Sequence, residues 1–122
     1  MTITGGCLCG AVRFCLTGPP RQTGLCHCRS CRKHTGAPVA AFADCKRAAV
    51  AFTQGEPTRF ASSPGVRRGF CADCGSTLSF EWDGRPDEIA LHIGAFDDPD
   101  AFPPTGPDTF PEERVSWLHL TQ

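Results

Sequence analysis

The chain has 122 residues, a formal net charge of -1 and a pI of about 6.4. That length suits one compact domain over residues 1–122, and the charge balance lacks the basic surplus that nucleic acid or an anionic membrane surface demands. No apolar run approaches bilayer-spanning length.

The opening, MTITGGCLCG, is polar and glycine-rich and does not read as a secretory leader, so a cytoplasmic protein is expected. Thiols stay reduced in that compartment. Nine cysteines, an odd number, therefore point to metal ligands or catalysts and not to a framework of bridges.

Cys7-Leu8-Cys9 comes first, among Gly5, Gly6 and Gly10. In AVRFCL, residues 11–16, Val12, Phe14 and Leu16 share one face while Arg13 and Cys15 share the other, which is the period of a strand. Gly18-Pro19-Pro20 breaks it. Cys26, Cys28 and Cys31 then fall within six residues, and one or two turns of helix are expected after Cys28. Gly55-Glu56-Pro57 and Pro64-Gly65 read as turns before Cys71-Ala72-Asp73-Cys74-Gly75.

Further along, TLSFEW, residues 77–82, puts Leu78, Phe80 and Trp82 opposite Ser79 and Glu81. EIALHIGAF, residues 88–96, aligns Ile89, Leu91 and Ile93. Asp83-Gly84 between these runs predicts a tight hairpin. Phe96 to Glu113 reads as a proline-rich surface excursion that its three phenylalanines pin to the core, with a turn of helix after Pro99. No long stretch has helical periodicity, so the expected fold is mostly β, built of short antiparallel strands.

The chemistry lies in the cysteines. Cys71 and Cys74, at i and i+3 with Gly75 behind them, form a zinc knuckle. A tight turn aims both sulfurs at one ion, and glycine permits the positive φ that follows. Cys7 and Cys9 lie on one face of a strand, roughly 6.5 Å apart, and converge if that strand bends at its glycines. These four would make a closed tetrahedral centre that contributes directly to folding. Cys26, Cys28 and Cys31 then remain as a triplet with an open fourth position, the pattern of a catalytic zinc site. Spacing leaves another partition open, in which Cys28 and Cys31 join Cys71 and Cys74 as an ordinary zinc ribbon.

The segments GGCLCGAVRF, CHCRSCRKHTGAP and FCADCGSTL resemble the three signature segments of the glutathione-dependent formaldehyde-activating enzyme family, also called the centromere-protein-V/GFA domain. The late WLHL, Trp117 to Leu120, is similar to that family's carboxy-terminal strand, and the resemblance runs over essentially the whole chain. It implies a β-tent fold, with Cys7, Cys9, Cys71 and Cys74 as the structural zinc set and Cys26, Cys28 and Cys31 as the set implicated in activity. It also implies carbon–sulfur lyase chemistry that makes or breaks S-(hydroxymethyl)glutathione, with glutathione as cosubstrate.

Three thiolates around zinc leave a net charge of about -1 and a poor Lewis acid, better matched to a soft thiol than to making hydroxide. Such a site favours capture of a thiol and its addition to a small aldehyde. Arg29, Arg32, Lys33, His27 and His34 surround the triplet, and positive charge there lowers thiol pKa values. Arg32 and Lys33 are the candidates to bind a substrate carboxylate, such as those of glutathione. His27 is expected to point away from the ligands, His34 to lie on the surface, and His92 and His119 to be ordinary strand residues. Cys15 and Cys45 are expected to be small buried side chains, with Trp82, Trp117 and the phenylalanines in the core.

The expectation is a zinc-dependent, carbon–sulfur lyase-like enzyme with a small-molecule thiol or aldehyde substrate and no nucleic-acid or membrane partner. The alternative is a non-catalytic, zinc-stabilised binding module on the same fold.

Overall fold

A computed structural model describes residues 2–120. Among them, nine strands form two antiparallel sheets. The small sheet has the order β1-β2-β5, from β1 (Ile3–Gly6), β2 (Arg13–Leu16) and β5 (Val50–Gln54). The large sheet contains β3 (Gln22–Cys26), β4 (Ala40–Lys46), β6 (Thr58–Ser63), β7 (Val66–Phe70), β8 (Thr77–Trp82) and β9 (Glu88–His92). Its order is β3-β4-β9-β8-β7-β6. One α-helix, α1 (Arg29–Thr35), follows Cys28, and one of four short 3-10 turns among the described residues spans Pro99–Ala101.

The core lies between the sheets and follows period-two patterning. Val12, Phe14 and Leu16 are all buried, as are Ile89, Leu91 and Ile93. Phe14 and Leu16 pack with Ala43, Cys45, Ile89, Leu91 and Phe96. Burying each large apolar side chain contributes roughly 1.5–3 kcal/mol. Phe14 meets Phe96 edge to face, with ring centroids 5.5 Å apart. Gly5 is required where β1 crosses this pair, because a Cβ there would collide with the Phe14 ring and the Ala95 carbonyl.

The same alternation turns the other face of the large sheet outward. Asp44 pairs with Ala90, Ala90 with Phe80, and Phe80 with Arg68. Residues in directly opposed positions lie on one face, so these four form a row across β4, β9, β8 and β7. That row underlies the site described below.

On β8 the buried residues include the polar pair Ser79 and Glu81, while Trp82 is 48% exposed. Trp117 is 67% exposed, so neither tryptophan belongs to the core as the sequence suggested. The Glu81 carboxylate explains the inversion. It accepts hydrogen bonds from Arg47 and Arg59, each at 2.6 Å, so a charged side chain is satisfied where an apolar one was expected. Burial pushes the Glu81 carboxyl up, but the Arg59 and Arg47 contacts outweigh it and leave the pKa below the ordinary value of 4.5. A lowered carboxylate pKa stabilises the fold above the unfolded value, and that contribution fades as pH falls through the folded one. Glu81→Ala is therefore expected to cost about 2 kcal/mol near neutrality, a difference that shrinks progressively as pH falls below 4.5, as read from urea melts across pH.

Two further sequence expectations change. Trp117 to Leu120 forms no strand. The β8–β9 connection is a hairpin, but residues 83–87 separate the strands, so it is longer than a two-residue turn. In the proline-rich excursion, Phe96 is buried and Phe102 packs beside it at 4.8 Å between centroids. Phe110, the third, is 48% exposed.

Candidate metal centres and their cavity

Cys7 and Cys9 do not lie on a strand. β1 ends at Gly6, and the two cysteines occupy the turn beyond it. The Cys7 and Cys9 sulfurs are 3.6 Å apart, and the Cys9 and Cys71 sulfurs 3.8 Å. Four sulfurs at a zinc–sulfur distance of about 2.3 Å in tetrahedral array would stand about 3.8 Å apart, so this donor set fits zinc. All four, Cys7, Cys9, Cys71 and Cys74, lie within 4.8 Å of one another.

Backbone donors hold the arrangement. The Val12 N–H donates to the Cys7 sulfur at 3.2 Å, and the Gly75 N–H closes the knuckle on the Cys71 carbonyl at 2.7 Å. Gly75 has φ +80° with open space around its α-carbon, so conformation and not crowding demands glycine there. The Cys74 thiol is lowered to about 6 by hydrogen bonds from the Ser76 side chain and backbone. The cluster joins the end of β1 to the β7–β8 connection and so staples the small sheet to the large one.

The triplet is separate. Cys26 ends β3, Cys28 caps α1, and Cys31 lies in the first turn of that helix. Their sulfurs also lie within 4.8 Å of one another, apart from the first set. The Cys31 N–H donates to the Cys28 sulfur at 3.3 Å, which aims that sulfur inward. All nine cysteines are free of bridges. Cys45 is buried and Cys15 half-buried.

Where the first cluster is closed, the triplet opens onto a cavity of about 440 Å³. Arg68 forms part of its wall and is only 4% exposed. Its guanidinium donates to the Cys31 sulfur at 3.5 Å and to the Ser62 hydroxyl at 3.0 Å, and it lies over the Phe80 ring at 5.1 Å. The Cys31 thiol is lowered to about 5 by the Cys26 thiol that donates to it, with further help from Arg68 against the effect of burial. Cys26 is pushed up by the same contact and by its own burial. Negative charge therefore settles on Cys31, beside a buried cation.

The surrounding residues sort differently from their sequence order. Arg29 lines the cavity, whereas Arg32 and Lys33 are not among its lining side chains. Arg32 donates to the His27 carbonyl at 3.3 Å, and Lys33 is exposed. His27 is fully buried and bonds Asp108 at 2.9 Å. His34 is half-buried, not a surface residue, with no partner for Nε2. His92 lines the cavity, also with Nε2 unpartnered, and burial, with His34 and Arg68 nearby, lowers it to about 4. Arg68 and His92 escaped the sequence reading because they lie 37 and 61 positions beyond Cys31. The available signal was parity: both occupy even positions on strands whose even face looks into the cavity.

The fold and these clusters define a cysteine-rich, antiparallel β protein with two sites of metal-binding geometry, one closed and one open. The chain belongs to the glutathione-dependent formaldehyde-activating enzyme family, whose profile it matches over residues 2–112. It is 32% identical over 78 residues to a Schizosaccharomyces pombe (strain 972 / ATCC 24843) protein described as an uncharacterized lyase. That match covers 64% of this chain and 56% of the relative, little more than half of the relative's length. A crystal structure of a Rhodobacter sphaeroides protein has a similar fold, with a TM-score of 0.63 and 22% identity over 77% of this chain and 87% of that one. No helix among the described residues is long and apolar enough to cross a membrane.

Proposed function

We propose that the chain is a zinc-dependent carbon–sulfur lyase acting on adducts of a small thiol and an aldehyde, of which S-(hydroxymethyl)glutathione is the one its family's name points to. One observation carries this reading: three sulfurs converge at the wall of a cavity that leaves room beside them. Cys26, Cys28 and Cys31 are the residues to hold the metal, which when bound supplies a positive centre for the substrate's sulfur. Arg68 offsets the negative charge of the three thiolates.

In the cleavage direction the carbon–sulfur bond breaks and its electron pair goes to sulfur. The hydroxyl on the same carbon loses its proton and becomes the carbonyl, and that proton ends on the released thiol. His92, a neutral imidazole in the cavity wall, is placed to relay it. The apolar walls limit water at the reacting atoms.

Serine at Cys28 tests the reading. The expected variant folds, keeps the zinc of the four-cysteine cluster, and exchanges labelled formaldehyde with its glutathione adduct no faster than buffer does, as followed by NMR. A variant that exchanges as fast as the parent would remove the triplet from the chemistry. A parent protein with no exchange on any thiol–aldehyde pair would leave only the binding module.

A further inference from the structure

A second cavity of about 480 Å³ extends outward from the first and shares Phe42, Asp44, Val66, Phe80 and Phe110 with it. The two are one groove, running from the triplet over the row of residues on the outer face of the large sheet. Its outer end reaches Trp82, Arg85 and Glu88. A single water occupies about 30 Å³, and pockets of several hundred Å³ hold ligands far larger than a one-carbon aldehyde.

We propose that this groove is a binding subsite for an uncharged, aromatic-sized arm of the substrate, so that the adduct presented to the triplet carries a hydrophobic substituent. The lining is the first argument. Phe42 and Phe80 come from the sheet below, and Phe110 comes from a strap, residues 106–110, that runs parallel along the edge of β3. Phe110 adopts φ +54°, the only positive value at a non-glycine residue among those described, and an aromatic side chain holds that conformation only under constraint. The constraint is visible. Thr109 exchanges backbone hydrogen bonds with Leu25 and His27, at 2.8 and 3.0 Å, and the buried His27 holds Asp108 next to it. The strap is therefore pinned just before Phe110, which is left half-exposed at the groove.

Charge is the second argument. Asp44 faces the groove and has no salt-bridge partner among the described residues. At the outer end, Arg21 and Arg85 are both engaged by Glu88, at 3.2 and 3.5 Å. At the inner end, Arg68 is engaged by Cys31, Ser62 and Phe80. Arg29 lines the inner cavity with no salt-bridge partner among the described residues, but a carboxylate laid along the outer groove would meet Asp44 and Glu88 before any free cation. A carboxylate-bearing arm is therefore a poor occupant of the outer groove, and a flat apolar arm is a good one.

The inference rests on the triplet being the reacting end, but it can be read without turnover. Zinc-loaded protein is titrated with benzyl methyl sulfide and with S-methylglutathione, thioethers with an apolar and a doubly acidic arm, by calorimetry and by Trp82 fluorescence. Benzyl methyl sulfide is expected to bind about tenfold tighter or more. Phe42→Ala and Phe110→Leu are each expected to weaken it by about fivefold, with zinc content and melting temperature showing that the variants are folded. Tighter binding of S-methylglutathione, or sulfide binding unchanged in both folded variants, would overturn the subsite. If the sulfide binds as expected but no adduct is turned over, the subsite stands and the lyase reading falls.

Discussion

Cys71→Ser is expected to abolish cooperative folding, not merely to weaken it. Cys71 is 1% exposed and packs with Cys7, Val12 and Leu78 in a core cluster of its own. A structural zinc site supplies an apparent ~10–16 kcal/mol in small zinc domains, against a whole-domain stability of ~5–15 kcal/mol. A single lost ligand would remove most of the smaller quantity, and at a cluster that joins the two sheets. The check is a thermal melt by circular dichroism with metal analysis on the same sample, and treatment of the parent with a strong chelator should reproduce the result. A sigmoidal melt within a few degrees of the parent would mean that sheet packing alone holds the fold.

Arg68→Met should spare the fold and damage the triplet. The substitution keeps an unbranched side chain in place while removing the charge, the contact to the Cys31 sulfur and the contact to Ser62. Groups that hydrogen-bond a metal's ligands are typically worth 10–100-fold in metal affinity or activity, so a loss of about that size is expected at the triplet alone. Competition for zinc against a chromophoric chelator reads the two sites separately, because the four-cysteine cluster should keep its ion. Arg68→Lys should recover only part of the loss, since a point charge cannot reach Cys31 and Ser62 together as the planar guanidinium does. Equal zinc affinity at the triplet in the parent and the methionine variant would show that the buried charge serves only the packing of Phe80.

Much of the site was legible before any coordinates. A knuckle such as Cys71 to Gly75 is a local object, because four residues of turn fix where both sulfurs point. The triplet is nearly as local, set by the end of β3 and the start of α1. The apolar alternation at Val12, Phe14 and Leu16 announced its buried face for the same reason. Less local features misled. Trp82 and Trp117 are large and apolar, which says nothing of whether a neighbour will cover them. The burial of Glu81, opposite the apolar face of its strand, could not be read because the sequence does not display Arg47 and Arg59 beside it.

The sequence by itself determined the chemistry available to this protein: seven sulfur donors in three short clusters, on short strands with alternating patterning. Those properties belong to segments of a few residues, and local geometry is enough to express them. Only the tertiary structure decided which clusters share an ion-sized space, and that the leftover triplet faces a groove instead of solvent. It also decided that Arg68 and Arg29 line the cavity, while Arg32 and Lys33, in the next turn of the helix, do not. The physical reason is that a sheet brings residues together by register. Phe80 reaches Arg68 and Ala90 through ladder hydrogen bonds, and no spacing along the chain encodes that pairing.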